Sequence, residues 1–360
     1  MQQLLSLTLM VFMSLFTFNK SEDLFEEAKR KMVENKTISY TQTGLYPDPM
    51  GNYTPYPYTV SISENSESLV GFDYIMSSER ADMVYINTDY KKVEHEESSV
   101  YFFPKAEMEN DVIGNLRYTP MAFLKHTDWQ YVNDTTIEGT DFSDYFRVEN
   151  DKVHNGNTIY TEQHILINPK TKLIERFERR NYFNRELSQK VVYLYEDYEL
   201  DSSIKPLAFT FPDDYKTSLY GRKDKVQLNK GELAPMFSAI DLDGNNWTLE
   251  EYRGKKVLID FSIINCGYCF QSVKYFNQEE NKLADNIEVL YISTEDSQEK
   301  LQQFDEQFNI PFRAVADAEA VGEMYGISSW PIFYLIDEEG RIEDVIVGFD
   351  KEKLSDLKAK

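Results

Sequence analysis

The run Val257-Leu258-Ile259-Asp260-Phe261 is apolar except for one carboxylate, and five residues beyond it stand Cys266 and Cys269, the two cysteines of a 360-residue chain. A short apolar run of this length reads as a strand buried on both faces. The residues after Cys266 take up helical spacing, with Val273, Phe276 and Leu283 as the expected apolar face. A strand that leads through a cysteine pair into a helix restricts this part of the chain to an α/β arrangement. Two thiols kept two residues apart serve chemistry rather than scattered crosslinking.

The surrounding pattern agrees. Ile287 to Ile292 reads as a second buried strand and Leu301 to Phe308 as a second helix. Ile332 to Ile336 and Ile342 to Val347 read as strands joined by the turn Glu338-Glu339-Gly340. Strands alternating with helices and closing in a hairpin predict a mixed sheet with helices on both faces.

The first two hundred residues have a different texture. Residues 21–36 have helical periodicity, with Leu24, Phe25, Ala28 and Met32 on one face. The period then switches to two at Thr37 to Thr41, Tyr58 to Ile62, Met83 to Ile86, Val100 to Phe103, Tyr145 to Val148, Ile159 to Ile167, Leu173 to Arg179 and Val191 to Tyr195. The 25 tyrosines and 23 phenylalanines favour β-structure. One helix on a long antiparallel sheet is expected, with no fixed-period repeat. This half resembles the LolA-like lipoprotein carrier fold, an incomplete antiparallel barrel or half-barrel around helices. The likeness rests on Thr135 to Gly139, on Ile165 to Thr171, and on Tyr198 before Phe209-Thr210-Phe211. It implies a hydrophobic ligand or a client protein in the cavity; a β-rich domain without a ligand fits the same residues.

The domains expected are 1–20, a signal peptide or N-terminal anchor; 21–212, the β-rich domain; 213–230, a polar linker; and 231–360, the α/β domain. Residues 4–18 are apolar and uncharged, too short for a comfortable membrane span, and fit the core of an export signal. Export to a periplasm or cell envelope, an uncleaved anchor and a buried terminal helix are the three readings. A formal charge of −24 disfavours nucleic acid and anionic lipid surfaces.

Five separated elements give the C-terminal part a specific resemblance. Gly231 to Phe237, Asp241-Leu242-Asp243-Gly244, Leu249 to Lys256, Cys266-x-x-Cys269 and Trp330-Pro331 occur in the order found in TlpA-like redoxins of the thioredoxin superfamily. The resemblance implies a thioredoxin fold and thiol-disulfide oxidoreductase chemistry, with a Cys266–Cys269 disulfide in the oxidised state and no cofactor. Cys266, at the helix start, is the expected attacking thiolate and Cys269 the resolving thiol. Asp260 is the expected buried acid, and Tyr268, Trp330 and Pro331 the expected substrate-contacting residues, with Pro331 cis. A zinc half-site is the competing reading of the pair, but no second pair exists and all four histidines precede residue 165. A static structural bridge, an Asp260 exposed at a strand end and a trans Pro331 compete with these expectations.

Three positions depart from the family pattern. Asn265 replaces the usual Trp, Trp330 replaces a small or β-branched residue, and Gly267-Tyr268 resembles the dipeptide of disulfide isomerases rather than that of reductases. The expected partners are disulfide-containing client proteins and a thioredoxin-like or membrane electron donor. The alternative function is a lipid or client carrier with an accessory redox domain.

Overall fold

The computed structural model describes residues 24–154, 157–220 and 227–358. The expected signal or anchor at 1–20, with its apolar core at 4–18, lies outside the described residues. Among the described residues no helix is long and apolar enough to cross a membrane. The greater part of the chain up to residue 220 forms one compact unit, and the residues from 227 onward form a second.

In the first unit, helix α1 (24–34) buries Ala28 and Met32, one turn apart on the expected face. Strands β1 (Thr37–Pro47), β2 (Tyr53–Glu64), β3 (Phe72–Ser77), β4 (Ala81–Ile86), β5 (Asp89–Glu94) and β6 (Ser99–Phe102) follow. Helices α2 (Glu109–Leu116) and α3 (Pro120–Phe123) come next. Strands β7 (Gln130–Ile137), β8 (Thr140–His154), β9 (Asn157–Asn168), β10 (Leu173–Phe183), β11 (Glu186–Asp201) and β12 (Lys216–Leu219) complete the unit. All twelve form one sheet in the order β12-β6-β5-β4-β3-β2-β1-β11-β10-β9-β8-β7. Its core unites Met32 of α1, Val112 of α2 and Phe123 of α3 with sheet aromatics such as Tyr40, Tyr74, Phe177 and Tyr195. Phe123 stacks on Phe177 with centroids 4.4 Å apart.

One expectation from the sequence is corrected here. The sheet gains β12 from within the stretch expected to be linker, and β12 pairs in parallel with β6. Strands β3, β5 and β7 also escaped the periodicity. β3 is buried at four of its six positions and exposed at none, whereas β7 is exposed at six of eight.

In the second unit, β13 (Ser238–Ile240) and β14 (Asn246–Thr248) form a small hairpin ahead of the main sheet. That sheet uses β15 (Lys256–Ser262), β16 (Ile287–Ser293), β17 (Arg313–Val315), β18 (Ile332–Ile336) and β19 (Ile342–Val347) in the order β17-β16-β15-β18-β19. The helices are α4 (Gly267–Phe276), α5 (Gln298–Phe308), α6 (Glu319–Met324) and α7 (Lys351–Ser355). Alternate residues of the sheet face opposite layers. Val257, Ile259 and Phe261 pack with Val321 of α6, whereas Tyr291 packs with Val273 of α4 and Leu301 and Phe304 of α5. Leu283 does not extend the face of α4: the helix ends at Phe276, and Leu283 bridges to Lys358.

Phe177 is fully buried, so Phe177→Ala should destabilise the first unit by about 3–5 kcal/mol. Urea unfolding followed by near-ultraviolet circular dichroism measures this; an unchanged midpoint would remove Phe177 from the core.

Candidate active site

Strand β15 lies between β16, to which it is parallel, and β18, to which it is antiparallel. It is buried from Val257 to Ser262. Beyond Ser262 the chain leaves the sheet and turns into α4, with Cys266 in extended conformation as the N-cap residue. The amide of Cys269 donates to Cys266 Sγ at 3.2 Å. The sulfur therefore sits where unpaired helix amides and the macrodipole favour negative charge.

Cys266 and Cys269 are joined in a disulfide with Cα atoms 5.2 Å apart. Cys269 is 1% exposed, whereas Cys266 is half-buried. Tyr268, between them, points 39% of its surface outward. The Trp330–Pro331 peptide is cis. The carbonyl oxygen of Trp330 lies 3.6 Å from Cys266 Sγ. Asn265, beside the pair, is half-buried.

Asp260 is buried on the face of the sheet turned toward α4 and α5, where burial raises its carboxyl to about 7 against the opposing hydrogen bonds of Ser262 and Ser272. Ser262 Oγ donates to Asp260 Oδ1. Ser272 Oγ lies 3.3 Å from Asp260 Oδ2 and 2.7 Å from the carbonyl oxygen of Cys269. One hydroxyl proton serves one acceptor at a time. Protonated Asp260 can itself donate to Ser272, which leaves the Ser272 proton for the Cys269 carbonyl. The state of the acid is thereby tied to the backbone of the buried cysteine.

Sequence reasoning named Asp260 but missed both serines. Their signals were present: Ser262 shares a strand face with Asp260 at i+2, and Ser272 lies one helical turn after Cys269. A further group went unnoticed in the loop after β16. Thr294 Oγ1 accepts from the Trp330 indole at 3.0 Å. Asp296 Oδ2 accepts from the Ile264 amide at 2.8 Å and from Ser293 Oγ at 2.6 Å, and burial raises the Asp296 carboxyl above its usual range. Among the described residues no group of three or more His, Cys, Asp or Glu is placed to hold a metal ion.

A cysteine pair at a strand-to-helix junction, faced by a cis-proline loop on a mixed sheet, defines a thioredoxin-fold domain. Residues 230–345 match the model of the AhpC/TSA family. The chain is 30% identical to the thioredoxin-like protein YneN of Bacillus subtilis over 129 residues, which is 35% of this chain and 76% of that protein. It is 29% identical to the thiol-disulfide oxidoreductase ResA of Geobacillus thermodenitrificans over 127 residues, 35% of this chain and 73% of that one. Among solved structures, the thioredoxin domain of a Bacteroides vulgatus thiol-disulfide oxidoreductase aligns at 26% identity and a TM-score of 0.31, covering 37% of this chain and 100% of that domain. Through its C-terminal part the chain belongs to the thioredoxin superfamily, in its TlpA-like redoxin group, and it is a thiol-disulfide oxidoreductase.

The acid in this core sets a pH dependence. The Asp260 carboxyl sits at about 7 in the folded protein, above an unfolded value of about 3.9. Folding therefore favours its proton, and the stability this contributes is complete below pH ~4 and is lost as the pH rises through 7. Asp260→Asn should exceed the wild type in unfolding free energy at pH 8, by on the order of 3 kcal/mol. The advantage should shrink toward pH 4. Urea titrations at both pH values check it; a variant less stable than wild type at pH 8 would contradict the assignment.

Proposed function

We propose that this chain is an exported enzyme that reduces or isomerises protein disulfides through Cys266 and Cys269. The observation that carries the reading is the asymmetry of the pair: Cys266 Sγ is reachable and receives the Cys269 amide, whereas Cys269 is closed off from solvent. In the dithiol state, Cys266 thiolate attacks one sulfur of a client disulfide. An intermolecular disulfide forms, and the second client sulfur leaves as a thiolate that takes up a proton. Cys269 then loses its proton to Asp260 and attacks Cys266 Sγ. The intermolecular bond breaks, the second client thiol departs, and the Cys266–Cys269 disulfide closes. Two electrons have passed to the client, so a thioredoxin-like or membrane-borne dithiol must restore the pair. Isomerisation follows the same first step, with another client thiol displacing Cys266 instead.

The client chain lies beside the cis-proline loop in this reading, where the backbone of Trp330 offers strand-like pairing and the faces of Tyr268 and Trp330 supply apolar contact. Support for export comes from the apolar residues 4–18. We assign the β-rich residues 21–220, which include β12, to client handling, the stretch 221–230 to the connection and residues 231–360 to the redox step. A carrier of apolar ligands is the second reading: a pocket of about 670 Å³ in the first unit is bordered by Phe142, Leu173, Leu194 and Tyr198 beside the charged Lys31, Glu175 and Arg176.

Cys266→Ser should abolish insulin-disulfide reduction, and Cys269→Ser should accumulate a mixed disulfide with the client, seen on non-reducing gels. Unchanged turnover of Cys266→Ser would overturn the assignment. Equilibration with glutathione sets the direction: a potential near about −270 mV marks a reductase, and one between about −180 and −120 mV an isomerase or oxidant.

A further inference from the structure

Loops usually run over the surface with solvated polar groups. The segment where β16 ends does not: Ser293, the last residue of the strand, and Thr294 and Asp296 beyond it are 0%, 5% and 7% exposed. Buried polar side chains need partners: Thr294 and Asp296 find theirs on the two chain segments that flank the disulfide, and Ser293 finds its own in Asp296 at 2.6 Å. The Trp330 indole donates to Thr294 Oγ1 at 3.0 Å, on the cis-proline side. The Ile264 amide donates to Asp296 Oδ2 at 2.8 Å, two residues before Cys266. The segment is itself held from behind, because the amides of Asp317 and Ala318 donate to the carbonyls of Asp296 and Ser293, each at 3.0 Å. Gly322 of α6 completes the support. A Cβ there would lie 2.7 Å from Thr294 Cγ2, on a β-branched side chain with little freedom to yield.

We propose that residues 293–296 are a positioning bridge for the redox reaction, in which Thr294 orients the Trp330 indole that contacts the client and Asp296 fixes the approach of Cys266 to the Trp330 carbonyl. This rests on the reading of Cys266 and Cys269 as the reacting pair. The two ends of the bridge have separate consequences. Release of Trp330 weakens client binding and leaves the sulfur chemistry alone. Release of Ile264 disturbs Cys266 and slows every exchange at its sulfur.

The test uses the full chain and the variants Thr294→Val, Thr294→Ser, Asp296→Ala, Asp296→Asn and Gly322→Ala. Thr294→Val should raise KM for insulin disulfides about three- to tenfold at constant kcat, the factor of one buried hydrogen bond. It should also increase acrylamide quenching of tryptophan fluorescence. Thr294→Ser, which keeps the hydroxyl, should match the wild type in both, and Gly322→Ala should reproduce Thr294→Val. Asp296→Ala should slow reduction of the Cys266–Cys269 disulfide by dithiothreitol several-fold, and Asp296→Asn, which retains an acceptor for Ile264, should restore it. A Thr294→Val variant with unchanged KM and quenching, or Asp296→Ala and Asp296→Asn reduced equally fast, would overturn the bridge. If the wild type reduces no protein disulfide, the proposed function fails, while quenching and dithiothreitol reduction still decide the bridge.

Discussion

The site depends on how β15 is paired. Its parallel register with β16 sets Ser262 opposite Ser293, and its antiparallel register with β18 sets Phe261 opposite Ile332. Three segments must therefore leave the sheet side by side: the one before Cys266, the one after Ser293 and the one carrying Trp330 and Pro331. Ligand sites in open α/β sheets gather at strand ends of this kind. The disulfide, the indole and the acid beneath them are brought together by backbone hydrogen bonding before any side chain contributes selectivity. The apolar character of Val257 to Phe261 is what keeps β15 in the middle of the sheet.

Asp260 sits in that same strand against the preference of its surroundings. A carboxylate with two serine partners and no cation among its hydrogen bonds is a destabilising occupant of a core. In the proposed reaction this acid, near neutrality, takes the proton of Cys269. On that proposal stability and redox chemistry pull in opposite directions at this one residue, as is common where a local folding rule is broken at a functional site.

Much of this was legible from residue order. The strand, the cysteine pair, the acid six residues earlier and the Trp-Pro dipeptide are close in sequence or carried by a specific resemblance, and the fold class followed from them. Thr294 and Asp296 were not legible, because their partners Trp330 and Ile264 lie 36 and 32 residues away and meet them only through sheet register. In the first unit, α1 and the alternating strands were readable. β3 and β7 were not, β3 having no exposed position and β7 six of eight exposed. The hairpin turn at Glu138-Gly139 that joins β7 to β8 has positive φ at both residues.

The parallel pairing of β12 with β6 has a consequence for how the chain is made. The edge of β6 waits for residues 216–219, more than a hundred positions later. A nascent chain that has emerged only through β11 carries that edge uncovered, and an open edge invites pairing with other chains. Synthesis of the first unit is complete only just before the redox unit begins. The first sheet can thus be sealed by the time Cys266 and Cys269 leave the ribosome.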